Sequence, residues 1–336
     1  MANKHPKQLD ALRAAQMYYL QDQTMDAIAR ELGTSRSTVS RLLSMARESG
    51  LVQIQIKTPA DRAPELERAI RERYKVEVHV VPVADTLNEI EVLDRVCMQA
   101  ARTITPLVDS NAVIGVAWGS TLSAVSRHLT RKTTHGTVIV QLNGAGNTQT
   151  TGITYASEII RRFGTAYGAK VEQFPVPAFF DHAETKRMMW EERSVQRILD
   201  LQHRMTIAIF GVGSIDSDVP SHVYSGGYLD STDIDSLEAS GVAGDVATVF
   251  FRDDGTDAGI VLNDRSSGPS LADLRKIRRR ICVVSGTKKI KGLRGALAAG
   301  LATDLILDES TARELVEAES ASSDPIFGFL NSLEGL

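Results

Sequence analysis

The sequence is poor in cysteine and has no long apolar run. Only two of its 336 residues are cysteine, Cys97 in a helical pattern and Cys282 in an apolar strand pattern. Two buried thiols explain both, and a reducing compartment fits. The first residues, Met-Ala-Asn-Lys-His-Pro-Lys, contain no apolar signal core, and no stretch approaches the length that spans a membrane. The sequence therefore predicts a soluble, cytoplasmic protein with no membrane partner.

Signatures of catalytic and metal sites are also missing. The seven histidines show no metal-ligand spacing, and neither a nucleophile elbow nor a Walker loop occurs. Gly211-Val-Gly-Ser214 resembles the start of a dinucleotide fingerprint but lacks its third glycine. We therefore expect no metal, no cofactor, no catalytic residue and no enzymatic activity.

Length and charge indicate two domains of different character. The hydrophobic content of 43% supports a sizeable core, and the net charge of −4 is unevenly shared. Residues 1–58 hold eight Lys/Arg against five Asp/Glu, which gives +3 there and −7 elsewhere. Pro59 and Pro64 bracket a short linker. We predict a nucleic-acid-binding domain over 1–58 and a second domain over 59–336.

The stretch from Thr24 to Ser49 predicts a helix-turn-helix. Gly33 lies where the chain must turn with a positive φ, Thr24 can cap the first helix, and Thr34 or Ser35 can cap the second. One apolar face runs through both helices and consists of Ile28, Ala29, Leu32, Val39, Leu42, Leu43 and Ala46. A preceding helix with Leu9, Leu12, Ala15, Met17 and Leu20 completes a three-helix head, and the alternation over Val52–Lys57 predicts a wing strand.

The other face of the second helix carries short hydroxyls and guanidiniums. These residues are Ser35, Arg36, Ser37, Thr38, Ser40 and Arg41. Such groups suit phosphate oxygens and base edges, which the start of a recognition helix approaches in the major groove. The alternative is an ordinary helical hairpin with a solvated polar face. The combination with the turn glycine and small buried residues favours DNA binding.

The rest of the chain alternates helices with short apolar runs. A charged helix from Glu65 to Tyr74 precedes helical segments at about 88–105, 120–130, 153–164, 182–201, 230–240, 270–279, 289–300 and 309–319. The apolar runs are Val76–Val83, Val113–Val116, Val138–Leu142, Ile207–Val212, Ile260–Leu262, Ile281–Val284 and Leu305–Leu307. Alternation of this kind predicts an α/β domain whose parallel sheet is covered on both faces.

Glycine-rich loops follow several of these runs. In open α/β sheets ligands bind beyond the carboxyl ends of the strands, where bare amides and helix N-termini favour anions. The candidate residues are Trp118, Gly119, Ser120, Thr121, Asn143, Gly144, Gly146, Asn147, Gly211, Gly213, Ser214 and Lys289. Turn chemistry alone explains any one loop, Trp118 suits a sugar face or the core, and Lys289 suits a phosphate contact or a solvated run. Repetition of the loops favours a hydroxylated small molecule, with or without a phosphate.

Four segments resemble one family. They are Val113–Leu122, Gly211-Val-Gly-Ser214, Gly244-Asp245 before Phe250-Phe251, and Ser285–Leu297 continuing to Thr303-Asp304. With the head, they are similar to the SorC family of sugar-responsive bacterial transcription regulators over nearly the whole chain. The resemblance implies a Rossmann-like effector domain of the kind shared with sugar-phosphate isomerases and CoA transferases, and dimers or tetramers.

The resemblance also implies roles for particular residues. Trp118–Thr121, Gly144, Gly146, Asn147, Gly211–Ser214 and Lys289 would line the effector pocket. Some members have a lysine near Asn143 whose amine bonds covalently to an aldehyde, which asparagine cannot do, so reversible binding is expected. Ser285, Gly292 and Arg252 depart from the family pattern.

The leading hypothesis is a regulator, such as a repressor, of carbohydrate-metabolism genes. It binds a double-stranded operator as a homo-oligomer, and a sugar, polyol or sugar phosphate modulates that binding. The alternative is a sugar-phosphate isomerase or deaminase with a DNA-binding appendage, but no acid–base pair is legible in the sequence. A pure interaction scaffold is disfavoured by the glycine-lined loops.

Overall fold

The structure, a computed structural model, describes residues 5–21, 23–52, 64–84, 86–150, 153–214 and 221–322. The chain divides into two compact units, Met1–Thr58 with Thr130–Lys132, and Pro59–Leu129 with Thr133–Leu336. Each unit has a hydrophobic core of its own. No helix among the described residues is both long and apolar enough to cross a membrane.

In the first unit the described residues form three helices. They are α1 (His5–Tyr19), α2 (Met25–Glu31) and α3 (Arg36–Glu48). The Thr24 hydroxyl accepts a hydrogen bond from the Ala27 amide, and the Ser35 hydroxyl accepts one from the Thr38 amide. Gly33 turns the chain with φ +60°. The predicted helix-turn-helix is confirmed, and Ser35 rather than Thr34 caps its second helix.

The core of this unit uses small side chains of α1. Ala11, Ala14 and Ala15 are buried against α2 and α3 together with the predicted apolar face of those helices. The prediction that Leu9 and Leu20 pack in this core is wrong, since they are 62% and 78% exposed. Alanines form the contact face of α1 and Leu9 lies away from it, whereas Leu20 follows the end of this helix at Tyr19. Of the predicted wing, only Val52 lies among the described residues.

In the second unit, seven described strands form one sheet in which all pairs are parallel. The strands are β1 (Glu77–Val81), β2 (Val113–Val116), β3 (Val138–Gln141), β4 (Lys170–Glu172), β5 (Ile207–Gly211), β8 (Arg279–Val284) and β9 (Asp304–Asp308), in the order β1-β9-β8-β5-β2-β3-β4. Two further strands, β6 (Val242–Val246) and β7 (Val249–Arg252), pair as an antiparallel hairpin. The predicted parallel α/β sheet is confirmed.

Helices lie on both faces of the sheet. They are α4 (Pro64–Tyr74), α5 (Glu89–Leu107), α6 (Ser120–His128), α7 (Ile153–Tyr167), α8 (Ala183–Trp190), α9 (Arg193–His203), α10 (His222–Ser225), α11 (Ser231–Ala239), α12 (Leu262–Arg265), α13 (Leu271–Lys276), α14 (Ile290–Ala298) and α15 (Glu309–Ser322). Successive strand residues enter different cores, since Ile207 and Ile209 join one cluster and Ala208 and Phe210 the other.

Two sequence predictions are wrong here. The single helix expected over 182–201 is two helices, α8 and α9, and the strand expected at Ile260–Leu262 is a turn leading into α12. Gly259 adopts φ +77° and Val261 is 66% exposed, so this short apolar run is not an inner strand. Cys97 and Cys282 are free and fully buried, as expected for structural thiols.

Candidate functional site

The polar face of α3 is open to solvent. Ser35, Arg36, Ser37, Ser40 and Arg41 are exposed, and Thr38 is half-buried. Arg36 approaches Asp26 at 3.8 Å, an exposed pair that contributes little to stability. Arg41 forms no ion pair with the described residues. All six predicted DNA-binding residues therefore lie at or near one exposed helix face.

Hydroxyls cluster at the start of this helix. The Ser35 hydroxyl lies 2.8 Å from that of Ser37 and 2.9 Å from that of Thr38. Hydroxyls and guanidiniums beside a helix N-terminus can donate hydrogen bonds to phosphate oxygens and base edges. The arrangement is suited to a polyanion.

In the second unit, a cavity opens at the carboxyl edge of β8, β5, β2 and β3, which are neighbours in the sheet. Because parallel strands bring their following loops to one edge, residues distant in sequence meet there. Eight of the twelve predicted effector residues line it: Trp118, Gly119, Ser120, Thr121, Asn143, Gly211, Gly213 and Lys289. Gly119 adopts φ +146°, a conformation that favours glycine.

An aromatic cluster forms one wall. The Trp118 ring stacks on Tyr228 with centroids 4.9 Å apart, and His222 meets Tyr155 at 4.7 Å. The Trp118 indole Nε1 donates to the Gly144 carbonyl oxygen at 2.8 Å. This bond fixes the ring and uses its only donor, so Trp118 offers its π face or edge and no hydrogen bond.

Asp245 brings a buried carboxyl to the cavity. It lies at the end of β6, where Ala247 and Thr248 adopt φ +48° and +68° to turn into β7. The Thr248 amide donates to Asp245 Oδ2 at 3.1 Å. A Cβ on Gly213 would collide with Asp245 Oδ1, so glycine makes room for the carboxyl. Burial raises the pKa of Asp245 to about 6. The Thr248 amide, Tyr224 and Lys289 each lower this pKa, but their effect is smaller than that of burial.

The raised pKa of Asp245 predicts a pH-dependent cost to stability. The folded chain keeps this proton between about pH 4 and pH 6, where the unfolded chain has lost it, so stability falls as the pH rises through that window. The whole fall is on the order of 3 kcal/mol, from a pKa difference of about two units, and about 2 kcal/mol of it lies between about pH 4.5 and about pH 7.5. Asp245→Asn should lack it. Urea unfolding at about pH 4.5 and about pH 7.5 measures the difference.

The control for this measurement is Asp257→Asn, which removes an exposed carboxylate. The stability of Asp245→Asn relative to the unsubstituted chain should increase with pH, and that of the control should not. A pH-independent difference for Asp245→Asn would contradict a buried, proton-retaining carboxyl.

Lys289 is the cation of the cavity. It ends a 3₁₀ turn (Thr287–Lys289) after β8 and is only 5% exposed, so the solvated-run alternative is wrong for it, whereas Lys288 is exposed. Burial lowers the pKa of Lys289, while Cys97, Asp245, Cys282 and Glu89 raise it. A desolvated amine beside a carboxyl gains from an anionic ligand that completes its coordination.

The other four predicted effector residues lie outside this cavity. A Cβ on Gly144 would collide with the carbonyl oxygens of Val176 and Pro177, and Gly146 forms a bridge to Pro177. The Asn147 side chain caps its own turn, accepting from the amides of residues 149 and 150, and donates to the Gly226 carbonyl at 2.7 Å. Ser214 is buried. The first three residues shape the loop that carries Asn143.

Nine residues that line the cavity are absent from the predicted set. Ala117, Leu122 and Val212 lie within the segments Val113–Leu122 and Gly211–Ser214, and the other six are Ser221, His222, Val223, Asp245, Ala247 and Thr248. Sequence reasoning also found no acid–base pair, yet Asp245 and Lys289 line one cavity. The signal for Asp245 was present, because Gly244-Asp245 is one of the segments that resemble the family. His222 and Ser221 come from a short helix with no motif of its own.

Comparisons with known proteins find relatives over most of the chain. Residues 58–317 match the family described as "Putative sugar-binding domain". The deoxyribonucleoside regulator of Bacillus subtilis is 34% identical, over 92% of this chain and 98% of that protein. A domain of a possible sugar-binding transcriptional regulator from Arthrobacter aurescens TC1 is 73% identical with a TM-score of 0.72, covering 77% of this chain and 100% of that one.

The likeness also extends to a full-length regulator. The sorbitol operon regulator SorC of Klebsiella pneumoniae superposes with a TM-score of 0.68 at 25% identity, covering 91% of this chain and 98% of that one. The match therefore includes both the helix-turn-helix unit and the parallel-sheet unit. This chain belongs to the SorC family of sugar-binding transcriptional regulators.

Proposed function

We propose that this protein regulates carbohydrate-metabolism genes in the cytoplasm by binding operator DNA through α3, and that a sugar, polyol or sugar phosphate in the cavity changes its operator affinity. The observation that carries the proposal is the pairing, in one chain, of an exposed hydroxyl-and-guanidinium helix face with a polar cavity that holds a buried lysine. The relatives named as deoxyribonucleoside and sorbitol operon regulators support it.

The start of α3 recognises the base sequence of the operator. Its six polar residues contact phosphates and base edges in the major groove, as recognition helices of this motif do. One such helix reads a short half-site, so we propose a homo-oligomer, a dimer or tetramer, on a palindromic or repeated operator.

In the effector cavity, different lining residues suit different groups of one ligand. Lys289 and the hydroxyls of Ser120 and Thr121 at the start of α6 suit a phosphate. Asn143 Oδ1 is buried without a hydrogen-bond partner among the described residues and suits a sugar hydroxyl. A phosphorylated sugar or polyol satisfies both, and since position 143 is not lysine its binding is reversible.

Effector and operator are coupled only if the ligand prefers one arrangement of the protein. A ligand with equal affinity for the DNA-competent and DNA-incompetent arrangements shifts nothing. The proposal therefore requires a coupling free energy, on the order of 1–3 kcal/mol, between cavity and operator.

Selection of genomic fragments tests the proposal. The intact protein, mixed with fragments of its own genome at moderate ionic strength, should retain a small set well above the rest, because base contacts add to the phosphate attraction. A panel of sugars and polyols, each with and without a phosphate, should contain a member that changes the affinity. No preference for any fragment, with or without the panel, would refute the regulator.

The enzyme alternative is tested on the same panel. Asp245 and Lys289 give the cavity a carboxyl and an amine, the kinds of group that proton transfer requires. Product formation that continues over many turnovers would support an isomerase or deaminase. Binding without turnover, together with altered operator affinity, supports the regulator.

A further inference from the structure

A second cavity, of about 350 Å³, lies in the parallel-sheet unit between α8, α9 and the segment 267–277. None of its lining residues lines the effector cavity. The volume falls within the lower part of the range of about 300–1,000 Å³ that small-molecule pockets occupy. The space is therefore large enough for a small organic molecule.

One side of this cavity is an apolar platform. Trp190, Leu199, Met205 and Ile277 contribute it. The Trp190 ring packs against Phe174 and Phe180, with both centroid distances 5.6 Å. Because core aromatic residues hold the Trp190 ring in place, little side-chain entropy of the protein is lost when a flat ligand binds against it.

Lys186 supplies this cavity with a cation whose hydrogen-bonding capacity is not exhausted. Lys186 Nζ lies 5.6 Å from the Trp190 ring centroid and donates to the Asn263 carbonyl at 3.4 Å. It forms no ion pair with the described residues. Burial lowers the pKa of Lys186, against an opposing effect of Asp264. A partly desolvated ammonium with one long hydrogen bond is stabilised by an anion.

The acidic group of the cavity is already occupied. Asp273 accepts from the Ser270 hydroxyl at 2.6 Å and from Lys276 Nζ at 2.7 Å. The Asp273 carboxylate is therefore paired with groups of its own segment. Lys186 remains as the charged group that is available to a ligand. His203, which faces Asp273, adds no negative charge.

We propose that this cavity binds a small organic monoanion with a flat apolar body, its carboxylate on Lys186 and its ring against Trp190 and Met205. Lys186 Nζ lies 5.6 Å from the Trp190 ring centroid, so one ring carboxylate reaches both the charge and the platform. This is a second ligand site, distinct in place and in ligand chemistry from the effector cavity.

The site lies behind the loop that carries Asn143. Gln202 Nε2 donates to the carbonyl oxygens of Gln141 and Leu142 at 2.8 and 3.1 Å. The Ser267 hydroxyl accepts from the Gly144 amide at 2.9 Å. Both side chains line the second cavity, so its ligand contacts groups that support the effector loop.

The two tryptophans of the chain report on the two cavities separately, because Trp118 lines the first and Trp190 the second. Indole ¹⁵N–¹H spectra of the full chain are recorded during titration with benzoate and with benzamide, its neutral analogue. Benzoate should move the Trp190 signal saturably and leave Trp118 in place. Benzamide should bind at least about tenfold more weakly than benzoate, because it cannot form a charge-assisted contact with Lys186.

Variants of Lys186 separate a site from general hydrophobic binding. Lys186→Met should bind benzoate no better than benzamide, Lys186→Arg should keep the preference, and Lys291→Met, an exposed control, should behave as the unsubstituted chain. Unchanged affinity for benzamide in the Lys186 variants shows that the cavity is intact, because benzamide makes no contact that needs the charge. No saturable Trp190 shift, equal affinity for both probes, or an unchanged preference in Lys186→Met would each overturn the proposal.

Discussion

Replacing Arg36 and Arg41 together with alanine is expected to weaken binding to a selected genomic fragment by about a thousandfold. An arginine that contacts a base edge contributes about 1–3 kcal/mol, and two of them bring the loss to about 4 kcal/mol. Both side chains are exposed, and Arg36 forms one ion pair with the part of the chain that the structure describes, to Asp26 at 3.8 Å. Stability should therefore change by less than about 0.5 kcal/mol. Fluorescence anisotropy measures the affinity, and thermal unfolding checks the fold.

The matched control is Arg13→Ala with Arg30→Ala. It removes the same charge from the same unit, and both arginines are exposed on other helices. If α3 reads the operator, the control loses only the general phosphate attraction and keeps its preference for the selected fragment. Equal losses in the two double variants would mean that net charge, and not the start of α3, accounts for binding.

Much of the head could be predicted because its determinants are local. Thr24 and Ser35 cap the helices from within one turn, and Gly33 supplies a positive φ that other residues adopt at a cost. The outward turn of Leu9 was not predictable in the same way. It depends on which side of α1 meets α3, and that is decided by packing between helices.

The sheet was predictable for the same reason. The two wrong predictions in this unit concern segments whose structure depends on tertiary contacts. Inner parallel strands are continuous apolar runs, so β2, β3, β5, β8 and β9 are legible. Ile260–Leu262 has the same composition but is too short to be assigned by pattern alone. The break between α8 and α9 has no proline or glycine to announce it, since residues 191 and 192 are both glutamate.

Only part of the candidate cavity could be predicted from the sequence. Strand-end loops are recognisable one at a time, and the sheet order brings four of them together. Asp245 arrives from a hairpin that is not part of this sheet. The Gly213 amide donates to the Asp245 carbonyl at 2.9 Å, and the Asp245 amide returns a bond of 3.2 Å to Gly213. Only this long-range pairing places a carboxyl beside Lys289.

Lys289→Met is expected to lower the affinity for a phosphorylated effector by about a hundredfold and that for its unphosphorylated form by less than about threefold. Methionine keeps the length and volume of the chain but removes the charge. Lys289 is 5% exposed, so water cannot replace the lost contact to the phosphate. Calorimetric titration with both forms of the same sugar or polyol measures the two losses.

Lys288→Met is the control, because Lys288 is the exposed neighbour of Lys289. Operator affinity without effector should stay unchanged in both variants, since neither residue belongs to α3. Equal losses for the two ligand forms would argue against a phosphate contact at Lys289. Removal of the amine also raises the pKa of Asp245 further, because Lys289 lowers it. Adding Asp245→Asn to Lys289→Met eliminates that contribution, and the preference for phosphate should stay lost if the lysine itself binds it.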